Sequence, residues 1–444
     1  MQIELKKQDN NDKLNLSSSN INQIRNNINQ TKIISSVVKK QNNDNTSAVC
    51  IKVSNLRKEG YQNFKEWLKD DNNVYVGRRG RMFINKEIFH FTGSKWSNPY
   101  KVSEDHYSLD ESISLYKQHL ITSGLIDNVE ELRGKKLGCF CEQKQICHSQ
   151  VLVDILEKEK KENNTIKILS WNVNGIRSNV ISKGKLSSSG WKKEISGETD
   201  LGRLIKDHKP DVICLQETKT DDKISESIKI PNYYQYWSNS LKAGYAGVSV
   251  WSKIEPKKVI NIIPSLELDK DSSGRILVLH FDNFILINTY SPNSGTNFTY
   301  RTEVWDVEIR KYLKKLKEEG KNIIWCGDLN VSVEEIDVHK GVDENVAGFT
   351  KEERSNFKEI LKEGYVDTMR YLNPEEKGLY TWWNLRVPTC RVRNIGMRLD
   401  YFVVSENIAR NVKKSEILKE YGMKTEEKMA LSDHGPIMLT IDKM

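Results

Sequence analysis

The 444-residue sequence has no apolar run long enough to cross a bilayer as a helix, which excludes a helical membrane-spanning protein. Its first residues, MQIELKKQDNND, lack the apolar stretch that a secretory signal needs, and there is no lipidation motif, so an intracellular protein is expected. Cysteine is sparse, with seven residues, an odd number too small to staple a chain of this length, and reduced thiols are expected. Neither sign of charge dominates: 69 Lys and Arg against 61 Asp and Glu leave +8, a mild basicity that permits a polyanionic partner without identifying one. Repeats at solenoid spacing are also absent. The length exceeds one ordinary core and suits two modest domains plus a tail, which excludes a minimal binding module.

The first 48 residues hold eleven Asn with many Gln, Lys and Ser and almost no aromatics. Such a composition buries too little apolar surface to offset chain entropy, and residues 1–48 are expected to be a disordered tail. Aromatics and glycines begin near Ile51, and a compact α+β domain is expected over 51–156. The charged stretch around 157–165 is expected to be a linker. Beyond it, strand-like runs recur at IKILSW (166–171), DVICLQ (211–216), AGVSVW (246–251), RILVLHF (275–281), FILINTY (284–290), NIIWCGD (322–328) and LDYFVVS (399–405), with helix-patterned segments between them. This is the layout of a large layered α/β domain over 166–444.

Nearly every run ends on a polar residue: Asn172 and Asn174, Glu217, Tyr290 and Asn293, Asp328 and Asn330, Asp400, then Asp433 and His434. One such residue is ordinarily a cap or turn former. So many at successive strand ends are another matter, because a sheet brings such ends together into a chemistry-bearing rim. Carboxylates and amides are hard-oxygen ligands suited to Mg²⁺ or Mn²⁺, which keep coordination free for a substrate phosphate. Cys and His clusters are missing from this half, so a zinc hydrolase is not expected there and a phosphoester substrate is.

The strings SWNVNGIRS (170–178), DVICLQETK (211–219), YSPNSG (290–295), CGDLNV (326–331), AGFTKEER (347–354), RLDYFVVS (398–405) and LSDHGPI (431–437) resemble, in order, the exonuclease III family of apurinic/apyrimidinic endonucleases. The resemblance implies the DNase I-like fold, a four-layered α/β sandwich with its site at one edge of two packed sheets. It also implies Mg²⁺-dependent (or Mn²⁺-dependent) hydrolysis of the phosphodiester 5′ to an abasic site in double-stranded DNA by a monomer, with 3′–5′ exonuclease or 3′-phosphodiesterase activity alongside. Two other readings are a DNase I-like phosphoesterase acting on another phosphoester and a catalytically silent DNA-binding protein. The repair-branch strings and the presence of every motif carboxylate argue against both.

By motif position, Glu217 resembles the principal metal carboxylate, with Asn172, Asn174 and Asp433 beside it and Asp328, Asn330 and His434 in the same metal zone. Some family members carry Asp at the place of Asn174. The same resemblance makes Asp328 the residue that activates water or protonates the leaving group, Asn330 the stabiliser of the phosphoryl group, and His434 a phosphate ligand oriented by Asp400. Tyr290 would lend its hydroxyl to that phosphate. Asn293, Trp382, Arg386 and Arg398 would contact DNA, with Arg391, Arg393, Lys253, Lys257 and Lys258 as further phosphate contacts that carry no sequence readout. Two departures bear on DNA contacts: a longer Ser/Gly/Lys-rich segment between Arg177 and Leu201, expected to be a surface insertion, and Met397 where an aromatic is common.

Residues 74–156 contain VYVGRRG, KWSNPY and LGCFC followed by CHSQVLVDIL. They resemble a small domain of uncharacterised function found in phage, viral and some bacterial proteins. Cys139, Cys141, Cys147 and His148 are ligand types fit for zinc. The CxC spacing and the adjacency of Cys147 and His148 favour structural thiols over zinc. Arg78, Arg79, Arg81, Lys95 and Asn98 could form an anion pocket.

Overall fold

The computed structural model describes residues 45–104, 106–141, 147–176, 193–194, 199–266, 273–295, 298–387, 389–424, 429–430 and 432–444. The expected tail up to residue 44, and the expected insertion apart from residues 193–194 and 199–200, lie outside the described residues. The chain forms two compact units, Met1–Asn163 and Asn164–Met444.

In the first unit, strands β1 (Ser47–Cys50) and β2 (Asn73–Tyr75) precede a hairpin of β3 (Gly80–Ile84) and β4 (Glu87–Phe91). Helix α1 (Leu109–Thr122), strand β5 (Lys136–Cys139) and helix α2 (His148–Asn163) follow. A capping box starts α1, with the Ser108 hydroxyl accepting from the Glu111 amide and the Glu111 carboxylate accepting in return. Strand β5 lies between β1 and β2, parallel to both. Such a sheet must be covered, and Val76, Trp96, Tyr116, Leu137, Leu152 and Leu156 form the buried cluster that covers it.

Two expected boundaries shift. Ser47 and Ala48 belong to β1 rather than to a tail, because their backbone pairs in register with Lys136 and Leu137. The stretch 157–163 is helical, not a linker: it is the second half of α2. Glu and Lys are strong helix formers, and their polarity marks a solvated helix as readily as a connection.

The second unit contains β6 (Thr165–Asn172), α3 (Asp200–His208), β7 (Val212–Gln216), β8 (Tyr234–Ser238), β9 (Val248–Ser252), β10 (Lys258–Ile260), β11 (Ile276–His280) and β12 (Ile285–Tyr290). It continues with α4 (Asp306–Glu318), β13 (Ile323–Asp328), α5 (Lys351–Lys362), β14 (Tyr365–Asp367), β15 (Asp400–Ser405), β16 (Val412–Ile417) and β17 (Ile437–Asp442). The strands form two six-stranded sheets, ordered β8-β9-β7-β6-β17-β16 and β10-β11-β12-β13-β15-β14. Both repeat one pairing pattern, a central parallel pair flanked on each side by antiparallel strands.

Alternation along each strand builds the layers. In β13, Ile324 and Cys326 enter the core between the sheets, where they meet Ile168, Val212, Val250 and Leu286. Ile323 and Trp325 face the other way, against Ile309 and Leu313 of α4 and Phe357 and Ile360 of α5. On the outside of the first sheet, Leu169, Ile213 and Leu215 pack on Leu201 and Leu204 of α3. With both faces of each sheet buried, the strands read as continuous apolar runs. The result is the four-layered DNase I-like sandwich.

Candidate active site

The central parallel pairs β6/β7 and β12/β13 place their carboxyl ends at one edge of the sandwich. Register puts Asn172 beside Gln216 in the first sheet, and Tyr290 beside Asp328 and Asp328 beside Asp400 in the second. Strand β17, antiparallel to β6, begins at the same edge, so the SDH segment before it delivers Asp433 and His434 there. Just past their strands, Asn174, Glu217 and Asn330 have φ of 46°, 48° and 48°. This left-handed conformation is mild for Asn and strained for Glu. The turn at Glu217 is held by its carbonyl accepting the Gly175 amide at 2.8 Å and by the Thr218 amide on the Gly247 carbonyl at 2.9 Å.

The two sheets meet at Asn172. Its Nδ2 donates to Glu217 Oε1 at 3.0 Å and to Asp328 Oδ2 at 2.9 Å, and its Oδ1 accepts the Asn174 amide at 3.0 Å. The side chain expected as a metal ligand is therefore a bridge between carboxylates, because its oxygen is turned to the backbone. Lys219, which motif reading passed over, joins the other carboxylate oxygen: its Nζ lies 2.6 Å from Glu217 Oε2 and 2.6 Å from Asn174 Oδ1. Asn174 Nδ2 donates onward to Asp433 Oδ1 at 3.1 Å, whose Oδ2 accepts Trp382 Nε1 at 3.1 Å. Against the cost of burial, Lys219 and the Asn172 amide hold the Glu217 carboxyl below the usual carboxylate range.

A second group is built on His434. Its Nδ1 donates to Asp400 Oδ2 at 2.8 Å, while its Nε2 lies 3.6 Å from Asp328 Oδ2. Thr381 Oγ1 accepts the Asp400 amide at 3.1 Å, and the Ser432 hydroxyl accepts the His434 amide at 3.1 Å, so both partners are fixed by the backbone. Burial opposes a charged ring, but Asp400 and Asp328 push His434 up to about 10. Burial, with the Asp400 and Glu217 charges and against the pull of His434, pushes Asp328 up to about 7. Tyr290, raised by burial and by Glu217 and Asp328, remains a hydroxyl donor. Asn330 orients Asp328 through its amide on Oδ1 at 3.0 Å; its Nδ2 donates to the Ser291 carbonyl at 2.9 Å, and its Oδ1 faces Asn293 Nδ2 at 3.4 Å.

The donor sets fit a divalent cation in two places. Ligand atoms of Asp328, Asp400 and His434 lie within 4.8 Å of one another. In the metal-free protein the charged His434 ring balances the two carboxylates of this group, and a cation bound there would take the place of its proton. The oxygens around Glu217, Asn174 and Asp433 suit a hard cation better, and Lys219 already places one positive charge on two of them.

His434 should titrate far above an ordinary imidazole. In metal-free protein its ring ¹⁵N resonances should report an imidazolium at pH 8 with a midpoint near 10; a neutral ring at pH 8 would rule this out. The folded-state pKa lies above the ordinary 6.5, so the stabilisation it gives is complete below about 6.5 and is lost as pH rises through about 10.

The residues expected to contact DNA divide. Trp382 is half-buried and joins Val338, Phe349, Met397 and Leu399 in a small apolar cluster beside Asp433. Trp383 is a core residue. Asn293 and Arg386 are exposed at the residue level. Arg398 is not a surface cation: it is 1% exposed, donates to Asp337 Oδ1 at 2.8 Å and Oδ2 at 2.9 Å, and pairs with Asp367 at 2.7 Å. Arg391 is likewise buried and gives its donors to the carbonyls of Gly422, Ser432, His434, Lys419 and Tyr421. Lys253 and Lys257 are paired with Asp211 and Asp282.

Residues 169–434 match the endonuclease/exonuclease/phosphatase family, and residues 60–158 match a domain of unknown function, DUF4326. The chain is 37% identical over 298 residues to the DNA-(apurinic or apyrimidinic site) endonuclease of Dictyostelium discoideum, covering 66% of this chain and 75% of that protein. It is 35% identical over 281 residues to the exodeoxyribonuclease of Bacillus subtilis, covering 62% of this chain and 100% of that one. Among solved structures, the AP endonuclease LMAP from Leishmania major superposes with a TM-score of 0.52 at 28% identity, covering 65% of this chain and 91% of that one. With the family match extending over more than half its length, the chain belongs to the endonuclease/exonuclease/phosphatase family, whose members are divalent-metal-dependent phosphoesterases.

Proposed function

We propose that the second unit is a Mg²⁺-dependent DNA repair endonuclease, able to use Mn²⁺. It would cut the phosphodiester 5′ to an abasic deoxyribose in double-stranded DNA, leaving a 3′-hydroxyl and a 5′-deoxyribose phosphate, and it would act as a monomer inside the cell. The observation that carries this reading is the juxtaposition, at one sheet edge, of a carboxylate–amide oxygen set with a buried His–Asp pair. The names of its relatives, AP endonuclease and exodeoxyribonuclease, point to DNA.

Each side chain has a role in that reaction. The His434 imidazolium and the Tyr290 hydroxyl supply donors to the scissile phosphate. Asp328, poised near neutrality, takes the proton of the attacking water. Glu217, Asn174 and Asp433 would hold the metal, which supplies neutralisation of phosphate charge. Asn172 keeps Glu217 and Asp328 in register. Trp382 and its apolar neighbours offer a surface for a deoxyribose without its base, whose extrusion is cheap because little stacking is lost. Asn293 and Arg386 would contact the strand. The same groups would serve 3′–5′ exonuclease or 3′-phosphodiesterase cleavage.

Rates on a duplex with one tetrahydrofuran abasic mimic and on the undamaged duplex of the same sequence test the reading. Incision 5′ to the mimic, leaving an end that a polymerase extends, should outpace degradation of the undamaged 3′ end by at least tenfold. Equal or faster loss of the undamaged end would make the protein an exonuclease and overturn abasic-site specificity.

A further inference from the structure

Besides the groups at the sheet edge, the described residues of the first unit gather Cys139, Cys141, Cys147 and His148, whose ligand atoms lie within 4.8 Å of one another. Cys139 ends β5, the central strand of the parallel sheet, and Cys147 immediately precedes α2, whose first turn it caps by accepting the Val151 amide at 3.1 Å. Cys139 and Cys147 are buried, and all three cysteines are free of disulfides.

We propose that Cys139, Cys141, Cys147 and His148 bind one zinc ion in a closed structural site that ties the end of β5 to the start of α2. Three thiols and an imidazole are a complete tetrahedral ligand set, with no position left over for substrate. With Zn–S near 2.3 Å and Zn–N near 2.0–2.1 Å, the tetrahedral edges should be about 3.8 Å between sulfurs and about 3.5 Å between sulfur and nitrogen. His148 Nδ1 lies 3.7 Å from Cys147 Sγ and 3.9 Å from Cys141 Sγ, close to those edges. Cys139 and Cys147 are 2.9 Å apart and would have to open by about 0.9 Å around the ion.

The adjacency of Cys147 and His148, which counts against zinc in the linear sequence, is resolved by the nitrogen that faces the sulfurs. Nδ1 lies close to the backbone of its own residue, so neighbouring residues can ligate together. The far nitrogen, Nε2, is 2.9 Å from the Val76 carbonyl. A carbonyl only accepts, so Nε2 is the protonated nitrogen, and in the neutral tautomer that a metal takes Nδ1 is the one with a lone pair toward the cysteines. This is the outer hydrogen bond that metal-bound imidazoles ordinarily make. Ser149, the next residue, lies with Oγ 3.4 Å from Cys139 Sγ and 3.2 Å from Cys147 Sγ, within reach to donate to thiolates. The amino end of the 16-residue helix α2 adds a positive partial charge at the same point. Three thiols this close cannot all ionise without a cation, because like charges oppose each other, and a dication removes that conflict.

The full-length protein, purified with a non-thiol reductant, provides the test. Metal analysis should find one zinc per chain, and exchange for Co²⁺ should give thiolate-to-cobalt charge-transfer absorption with the intense visible bands of tetrahedral cobalt. Cobalt at the Glu217 site cannot imitate this spectrum, because no cysteine lies in that ligand set. Cys147→Ser should lose the zinc and the charge-transfer bands, whereas Cys390→Ser, altered in the second unit, should keep both. Cobalt-loaded wild-type protein without charge-transfer absorption would overturn the proposal whatever the variants do. So would a Cys139–Cys147 disulfide in the zinc-free protein by peptide mass spectrometry.

Discussion

Replacing Asp328 by Asn is expected to lower kcat for incision by about 100- to 10,000-fold, with KM changed only a few-fold. Asp328 is 1% exposed and takes hydrogen bonds from both sheets, from Asn172 Nδ2 in the first and from the backbone amide and Nδ2 of Asn330 in its own. Burial and two neighbouring carboxylates raise it to about 7, so its proton is held loosely enough to be exchanged near neutral pH. An amide of the same shape keeps the packing and loses that exchange. Removing one carboxylate also withdraws part of the field that keeps His434 charged. For that reason Asp328→Asn combined with His434→Gln should cost less than the product of the two single effects. Rapid-quench kinetics on the abasic duplex would measure all three variants. A loss confined to KM, or fully multiplicative effects, would separate the two residues functionally.

Arg398→Met should destabilise the second unit by about 3–5 kcal/mol, the usual cost of removing one partner from a buried ion pair. The guanidinium is enclosed between Asp337 and Asp367, which are themselves 0% and 7% exposed. Arg370 still reaches Asp337 Oδ1 at 2.5 Å, so Asp367 is the carboxylate left worst off. Asp337 is held below its ordinary 3.8 against the cost of burial, chiefly by Arg398. Its part of the stabilisation is therefore present above about 3.8 and lost as pH falls through the lower folded value. Chemical denaturation checks the magnitude, with Arg386→Met, an exposed position, expected within about 0.5 kcal/mol of the parent. An Arg398→Met protein of unchanged stability that bound DNA weakly would return Arg398 to the DNA surface.

The contrast between Arg398 and Arg386 shows where the sequence is readable. Strands announce themselves because both faces of each sheet are buried, leaving unbroken apolar runs such as IIWC before Asp328. Motif order then brings Glu217, Asp328, Asp400 and His434 together, and they do meet. Orientation is a different matter, because it is set by partners from distant strands. Asn172 turns its amide nitrogen inward because Glu217 and Asp328 arrive there from two sheets, 45 and 156 residues away. Arg398 looks like a surface cation until Asp337 and Asp367 enclose it. Lys219 does carry a local signal: it lies two residues beyond Glu217, and a cation so near a motif carboxylate marks a pair. The repeated pairing of the two sheets leaves no trace in the residues, because hydrogen-bonded backbone sets that pattern and many apolar sequences satisfy it. The charged half of α2 is ambiguous for the same reason, since solvated helices and linkers share a composition.

The central claim is that one sheet edge holds a metal through Glu217 and cuts the backbone 5′ to an abasic residue with Asp328 and His434. It is tested most directly by single-turnover incision of an end-labelled duplex carrying one tetrahydrofuran. Mg²⁺ should yield a single fragment ending in a 3′-hydroxyl at the 5′ side of the mimic, EDTA should abolish it, and Glu217→Gln should need far more Mg²⁺ to produce it. No incision with Mg²⁺, or incision by Glu217→Gln at the wild-type rate and metal concentration, would contradict the account.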